Sequence, residues 1–424
     1  MSIYDYQGNI ISADYHAVEP QENDIPIVTI TGVLPTAKTQ GEYNVVISYR
    51  SLTENFDSYA TAKVQGDSSA TYPKKNFTIK LFSDSGRTTK LKKLFRNWDK
   101  ERNKFVLKAN WIDHSHARNI VNARLWTQMQ RSRSDFDTLP TALKSGNIAI
   151  DGFPVKVFND GIYMGIYTWN LPKDSLYGID DNVSTNALVQ GNSNQYSGSI
   201  LWRSSTMDGK WTDETRDDSV PTGAIGTGFT ALLDFVYTSS DADFISNFST
   251  YFDKKSIIDQ YIFLYVANIV DNIGKNQTFF TYDAQKWYGG MYDMDGTWGL
   301  RPWLPQNGWL DYDTVFQDDY SAVKEGDGTT TNLLYERVGT LFSTDMTARY
   351  EELRASILSA DNICAEFDRF MSNIPPYLYQ EDYAATTGGG NFTNIPLKDT
   401  NNAIQIRDFV VDRLEYVDEQ ILGE

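Results

Sequence analysis

Near Pro172 the apolar residues of this chain change their period, and that change limits the folds open to it. Upstream, the stretches IPIVTITGVL, YNVVISYRS, YATAKVQG, KNFTIKLF and NKFVLKAN alternate apolar with polar residues and are rich in β-branched types. So do GFPVKVFND and GIYMGIYTWN, which flank Asn-Asp-Gly, a strong two-residue hairpin signal. Among these strands Asp113 is placed to cap HSHARNIVNARLWTQMQRSR, where Ile120, Val121, Leu125, Trp126 and Met129 recur at helical spacing. Downstream, GFTALLDFVYTSS, DKKSIIDQYIFLYVANIVDNIG, TTNLLYERVGTLF, STDMTARYEELRASILS, DNICAEFDRFMSNI and NNAIQIRDFVVDRLEYVDEQIL follow a helical period. Only QTFFTYD and KWYGGMYD read as strands there. The expected fold class is α+β. A polar arm (1–25) precedes a β-rich, mostly antiparallel lobe with one long helix (26–175), then a mainly helical lobe (176–424). Two lobes leave a cleft, a usual place for a small ligand. The glycine-rich stretch at 380–398 reads as a loop, functional or disordered.

The chain has 424 residues and a formal net charge of −18. Such a field repels nucleic acid and anionic lipid, so neither is expected as a partner. The one dense basic stretch, Thr88 to Lys104, reads as a solvated helix or turn, or as a subsite for an acidic partner. The single cysteine, Cys364, lies in a helical pattern and reads as a core residue. No apolar run is long enough to span a membrane, and the opening MSIYDYQGNIISADYH lacks the parts of a secretion signal. A cytoplasmic protein, or part of a particle assembled there, is expected.

Carboxylates gather in DNIGKNQTFFTYDAQKWYGGMYDMDGTWG. Asp271 stands at the end of an apolar helix pattern, Asn276 follows it by five, and Asp293 and Asp295 come after the short hairpin. Asp and Asn also cap ordinary turns, and Asp-x4-Asn alone carries little. The ordered set on a helix and hairpin behind a β-rich lobe points instead to phosphoryl transfer. There an Asp orients the acceptor, and carboxylate and amide oxygens hold Mg²⁺ or Mn²⁺. Gly66, Asp67, Ser68 and Ser69 form a small-residue turn able to meet phosphate oxygens. Lys74, Lys75 and Lys80 follow it. Alternation sets Lys80 opposite Phe77, Ile79 and Leu81, where it could point into a cleft.

Other chemistries have less support. His114 and His116 are two apart at a helix start and share no face, which counts against zinc. Walker A, G-x-S-x-G and H-E-x-x-H motifs are absent. Paired carboxylates would also serve a glycosidase, but that reading leaves Asn276 and the lysines unused.

Four ordered stretches resemble the CotH-type, spore-coat-associated atypical kinases. QGDSSATYPKKNFTIKL is similar to R-G-N-S-S…P-K-K-S-Y-x-I-K-L, and FVLKANWIDHSHARNIVNARLW to W-x-L-x-A-N-x-x-D-x-S-x-x-R-N. VKVFNDGIYMGIY resembles N-G-x-Y-x-G-x-Y, and the carboxylate stretch resembles D-N-x-x-x-N…W-x-x-x-P-W-D-x-D-x-x-F-G. The resemblance implies a two-lobed kinase-like fold that binds ATP with Mg²⁺ or Mn²⁺ and phosphorylates protein serine or threonine. It implies Asp271 as the catalytic aspartate, and Asn276, Asp293 and Asp295 on the metal. Lys75 and Lys80, with Gly66, Ser68 and Ser69, would lie on the nucleotide. Arg118 and Asn119 would support the cleft.

The chain departs from that pattern. Gln65 stands where the family has Arg, and Leu171 falls near the position of a Glu that follows the hairpin tyrosine. Met291 and Tyr292 replace Pro-Trp, and Trp298 replaces Phe. A slow kinase and a pseudokinase both fit. The short opening and the GIYTWNLPKD variant also resemble CotH-domain proteins of bacteriophage tails. That implies an alternative: a catalytically silent virion component with tail neighbours, copies of itself or host glycans as partners.

Overall fold

The computed structural model describes residues 3–4, 10–12, 25–96, 98–192, 198–216, 219–269, 271–301, 310–314, 331–386 and 402–423. Most of the expected arm and the 387–398 part of the expected loop lie outside the described residues, while residues 380–386, also expected as loop, are the end of a helix. In the arm, β1 (Ile3–Tyr4) pairs antiparallel with β2 (Ile10–Ser12).

Seven strands follow: β3 (Ile27–Thr31), β4 (Glu42–Arg50), β5 (Asn55–Gln65), β6 (Asn76–Phe82), β7 (Lys104–Lys108), β8 (Gly152–Asn159) and β9 (Ile162–Asn170). They close into a barrel in the order β3-β4-β5-β6-β7-β9-β8. This corrects the expected kinase-like N-terminal lobe. β3 pairs parallel with β8, with Ile27 opposite Lys156, so the two sheet edges satisfy each other. Alternation sends Phe77, Ile79 and Leu81 of β6 into the barrel core beside Phe105, Val155 and Trp169. The hairpin between β8 and β9 turns on Asp160 and Gly161, at φ 48° and 83°, with Asn159 opposite Ile162. Two positive φ values in a two-residue loop are what Asp-Gly supplies.

Helix α1 (Arg118–Arg131) starts five residues after the expected cap. Asp113 still serves its first turn, since Asp113 Oδ2 accepts from Arg118 N at 2.9 Å. Its buried face (Ile120, Val121, Leu125, Trp126, Met129) joins the core of the helical half rather than the barrel core. A short α2 (Thr141–Ser145) follows it.

The helical half contains α3 (Gly223–Thr238), α4 (Asp241–Tyr251), α5 (Lys254–Val266), α6 (Leu333–Leu341), α7 (Ser343–Arg354), α8 (Ala360–Met371), α9 (Pro376–Thr386) and α10 (Asn402–Leu422). α5 is apolar on most sides and runs through the centre, capped by Asp253 Oδ1 accepting from Ser256 N at 2.9 Å. It stops at Val266, short of Asp271. Beside it lies a four-stranded sheet: β10 (Ala187–Gly191), β11 (Trp211–Asp213), β12 (Thr278–Thr281) and β13 (Trp287–Gly290), in the order β11-β10-β12-β13.

Cys364 is half-buried, not a full core residue. Among its described residues the basic stretch is turn and bridge rather than helix, with Lys90, Lys92 and Lys100 exposed. Phe95 and Trp98 sink into the barrel core, and Lys93 pairs with Glu54. Among the described residues no helix is long and apolar enough to cross a membrane.

Candidate phosphotransfer site

The D-x-D loop lies against the first turns of α1. Arg118 is fully buried; its Nη1 lies 2.7 Å from Asp113 Oδ1, and its Nε donates to Thr297 O at 3.0 Å. Asn119 Oδ1 accepts from Met294 N at 3.0 Å. Asn122 donates to Met294 O and Thr297 Oγ1, and its Oδ1 accepts from Trp298 Nε1 at 2.8 Å. Met294 N, Met294 O and Thr297 O each have a side-chain partner on α1, so Asp293 and Asp295 are presented by a braced loop. Asp293 itself sits at φ 56°, a strained value that the braces maintain.

Both carboxylates meet one cation. Lys108 Nζ, at the end of β7, stands 2.5 Å from Asp293 Oδ1 and 3.4 Å from Asp295 Oδ2. Burial works against the Lys108 ammonium, but the two aspartates outweigh it and hold the group above the usual lysine range. Burial alone would raise Asp293, yet Lys108 keeps it below the usual carboxylate range. Asp295 receives less of that charge. Burial pushes it up to about 6; Lys108 pulls against this, and Asp293, Asp271 and Asp113 add to the rise. Asp271 opens a 3-10 turn, Asp271–Ile273, and is raised by burial, against Lys275 and Arg301, with Asp293 adding to the rise.

The barrel contributes a second wall. Gly66 has φ 102°, and a Cβ there would fall 1.9 Å from Ser69 Oγ, so only glycine fits this turn. Ser69 Oγ accepts from Asn76 Nδ2 at 3.1 Å, and Asn76 Oδ1 accepts from Ala109 N at 2.7 Å. Asn76 thereby ties the glycine–serine turn to the strand end that carries Lys108. Ser68 opens the 3-10 turn Ser68–Thr71, and its side chain lies outside the described residues. Beside it, Tyr72 is raised by burial and then by Asp295, Asp271 and Asp293, so its hydroxyl lies within the carboxylates' field. Asp67 is lowered, first by its hydrogen bond from Lys38, and also feels Lys275 and Lys173.

The expected lysines are placed differently. Lys75 Nζ folds back onto Ala70 O at 2.9 Å and Tyr72 O at 2.5 Å, bracing the turn. Lys80 lies on the outer face of β6 and pairs with Glu42 at 2.6 Å. Alternation had it opposite the core residues, and the side opposite proved to be solvent. Asn276, at φ 65°, accepts from Gln190 Nε2 at 3.1 Å through its side-chain oxygen. The residue sequence reasoning missed is Lys108, which sits at an unspecified position of W-x-L-x-A-N. Its signal was a lysine ending a strand pattern directly before the Asp113 segment.

Lys74, which follows the glycine–serine turn, is buried with Asp382 of α9. Its Nζ lies 2.8 Å from Asp382 Oδ1 and 4.6 Å from the Tyr167 ring centre. Asp382 also meets His116 Nε2 at 3.1 Å and Ile166 N at 2.7 Å. His116 is thus occupied with a carboxylate, while burial pushes His114 down to about 4. Among the described residues no group of three or more His, Cys, Asp or Glu could hold a metal ion.

Two carboxylates and neighbouring amide oxygens are nonetheless hard donors of the kind a divalent cation takes, where the barrel meets the helical half. Asp293 and Asp295 share Lys108, Asp271 lies in the same field with Lys275 and Arg301 as its counter-charges, and Asp295 is held up first by burial and then by the neighbouring aspartates. Asn272 donates to Tyr292 O at 2.6 Å, and its buried Oδ1 has no hydrogen-bond partner among the described residues. A cavity of about 820 Å³ lined by Tyr49, Lys92, Arg96 and Phe153 shares no residue with this cluster.

The CotH kinase protein family model matches residues 62–417, from within β5 to within α10. The chain belongs to the CotH kinase protein family. That match spans the carboxylate loop, the glycine–serine turn and Lys108 together. No curated protein matches the chain. Membership makes a kinase-like activity the coarse assignment and suggests ATP and a divalent metal as its co-reactants.

Proposed function

We propose that the chain is a phosphotransferase that moves the γ-phosphoryl group of ATP to a serine or threonine hydroxyl of a protein. The observation that carries this is the convergence of Asp293 and Asp295 on Lys108, with Asp271 and Tyr72 in the same electrostatic field. On this reading the junction of the barrel and the helical half acts as a kinase-like interlobe cleft, and residues 26–175 and 176–424 act as its two lobes. Asp293 and Asp295, with the Asn272 or Asn276 amide oxygen, would hold Mg²⁺ or Mn²⁺. The cation supplies charge neutralisation at the phosphate oxygens.

Asp271 accepts the proton of the acceptor hydroxyl. Its raised affinity for a proton suits that task better than an ordinary carboxylate would. As the proton leaves, the hydroxyl oxygen bonds to the γ-phosphorus and the bond to the β-phosphate oxygen breaks. Lys108, Lys275 and Lys173 provide the positive charge beside the triphosphate. Gly66 and the 3-10 turn Ser68–Thr71 offer a close backbone approach. Lys75 supports that turn through its carbonyls, and Lys80 has no part in the cleft. The virion alternative rests partly on opening residues that lie mostly outside the described set.

The test is transfer of labelled phosphate from ATP with Mg²⁺ or Mn²⁺ to a serine-rich protein. Wild type should transfer, and Asp271→Asn and Asp293→Ala should lose transfer while remaining folded. Nucleotide binding without transfer would make the chain a pseudokinase. Transfer that survives both substitutions would overturn the residue roles.

A further inference from the structure

The cation shared by Asp293 and Asp295 belongs to the protein itself. Lys108 is anchored at its backbone: it stands opposite Thr168 in the β7–β9 ladder, and its carbonyl accepts from Asn110 Nδ2 at 3.3 Å. Only 12% of its side chain is exposed, and among the described residues it pairs with no carboxylate other than these two. A lysine head is a compact point charge on a flexible four-carbon stem, so it can change partners while its backbone stays fixed. A divalent cation arriving alone would meet an ammonium already in contact with its ligands. A triphosphate arriving with the metal would offer the ammonium other oxygens.

We propose that Lys108 is an internal rival for the divalent cation, so that metal alone binds the Asp293–Asp295 pair weakly and metal with a nucleoside triphosphate binds it well. The proposal rests on the phosphotransferase reading and deepens it. It makes metal and nucleotide binding thermodynamically coupled, each raising the affinity of the other by the same factor. The lysine also keeps the two carboxylates together before the metal enters, since without a counter-charge they would repel each other.

The experiment measures free Mn²⁺ by electron paramagnetic resonance in titrations of the full chain, with and without a non-hydrolysable ATP analogue. Wild type is compared with Lys108→Met, Lys108→Arg and Asp293→Ala. Lys108→Met should bind Mn²⁺ alone at least tenfold more tightly than wild type and gain little from the analogue. Lys108→Arg should keep the wild-type coupling, and Asp293→Ala should lose the site. Melting temperature, read with and without Mn²⁺, covers the case of a variant that folds poorly: Mn²⁺ should raise it more in Lys108→Met than in wild type. Equal or weaker Mn²⁺ binding by Lys108→Met, with nucleotide binding intact, would overturn this proposal alone. Mn²⁺ binding that survives Asp293→Ala would place the metal elsewhere and also overturn it. Absence of both metal and nucleotide binding in every variant would overturn it together with the phosphotransferase reading.

Discussion

Lys108 Nζ lies 2.5 Å from Asp293 Oδ1, and this pair joins the barrel to the carboxylate loop of the helical half. Removing one partner of a well-buried pair costs about 3–5 kcal/mol. Asp293 keeps 32% of its side chain exposed, so solvent screening reduces that figure. Asp293→Ala should therefore destabilise the metal-free chain by about 1–2 kcal/mol. Urea unfolding monitored by tryptophan fluorescence measures this; a midpoint identical to wild type would show that the pair contributes nothing to stability.

Asp382 is a stronger structural case. It holds Lys74, His116 and the Ile166 amide, and only 3% of its side chain is exposed. Asp382→Ala would leave a buried ammonium without its carboxylate and should cost about 3–5 kcal/mol. Burial tends to raise Asp382, but Lys74 and His116 hold it well below the usual range. Its contribution is thus present above the unfolded value, near pH 4, and lost as pH falls toward the folded one. The variant should show a shallower loss of stability below about pH 4 than wild type. Acid titrations followed by circular dichroism would detect the difference.

Asp295 has the opposite sign. Its folded pKa of about 6 lies above the unfolded value, so the group favours folding below about pH 4 and loses that contribution as pH rises through about 6. Asp295→Asn should remove this slope and make the metal-free chain more stable at pH 7, by at most about 3 kcal/mol. Thermal melts of both proteins at pH 4.5 and pH 7 in a chelator test it. A gap that does not widen with pH would contradict the assignment.

Arg118 supports the site through geometry that lysine lacks. Its guanidinium reaches Asp113, Thr297 O and Gln405 Oε1 at once. Arg118→Lys should keep the charge, lose part of this fork and lower phosphate transfer on the order of tenfold or more by loosening the D-x-D loop. A steady-state rate equal to wild type would show that the brace is dispensable.

Local patterns made much of this molecule legible. Strand alternation located the barrel strands, Asn-Asp-Gly announced its two-residue hairpin, and apolar spacing found α1 and α5. Barrel closure was not legible, because the parallel pairing of β3 with β8 joins residues that are more than a hundred positions apart. α4 was missed although Ser240 caps it, its side chain accepting from Asp243 N. The carboxylates were found because their spacing is local to one hairpin. Their lysine was not, since Lys108 meets Asp293 only after folding, 185 positions along the chain. Lys80 misled because alternation gives parity, while the choice of core side depends on closure.

The most direct test is a crystal structure of the chain with Mn²⁺ and a non-hydrolysable ATP analogue. The account predicts an anomalous Mn²⁺ peak between the triphosphate and Asp293 and Asp295, with Asp271 facing the γ-phosphate and the Gly66–Tyr72 turn over the phosphates. A nucleotide bound elsewhere, such as the cavity beside Lys92 and Arg96, with Lys108 still on both aspartates, would contradict it.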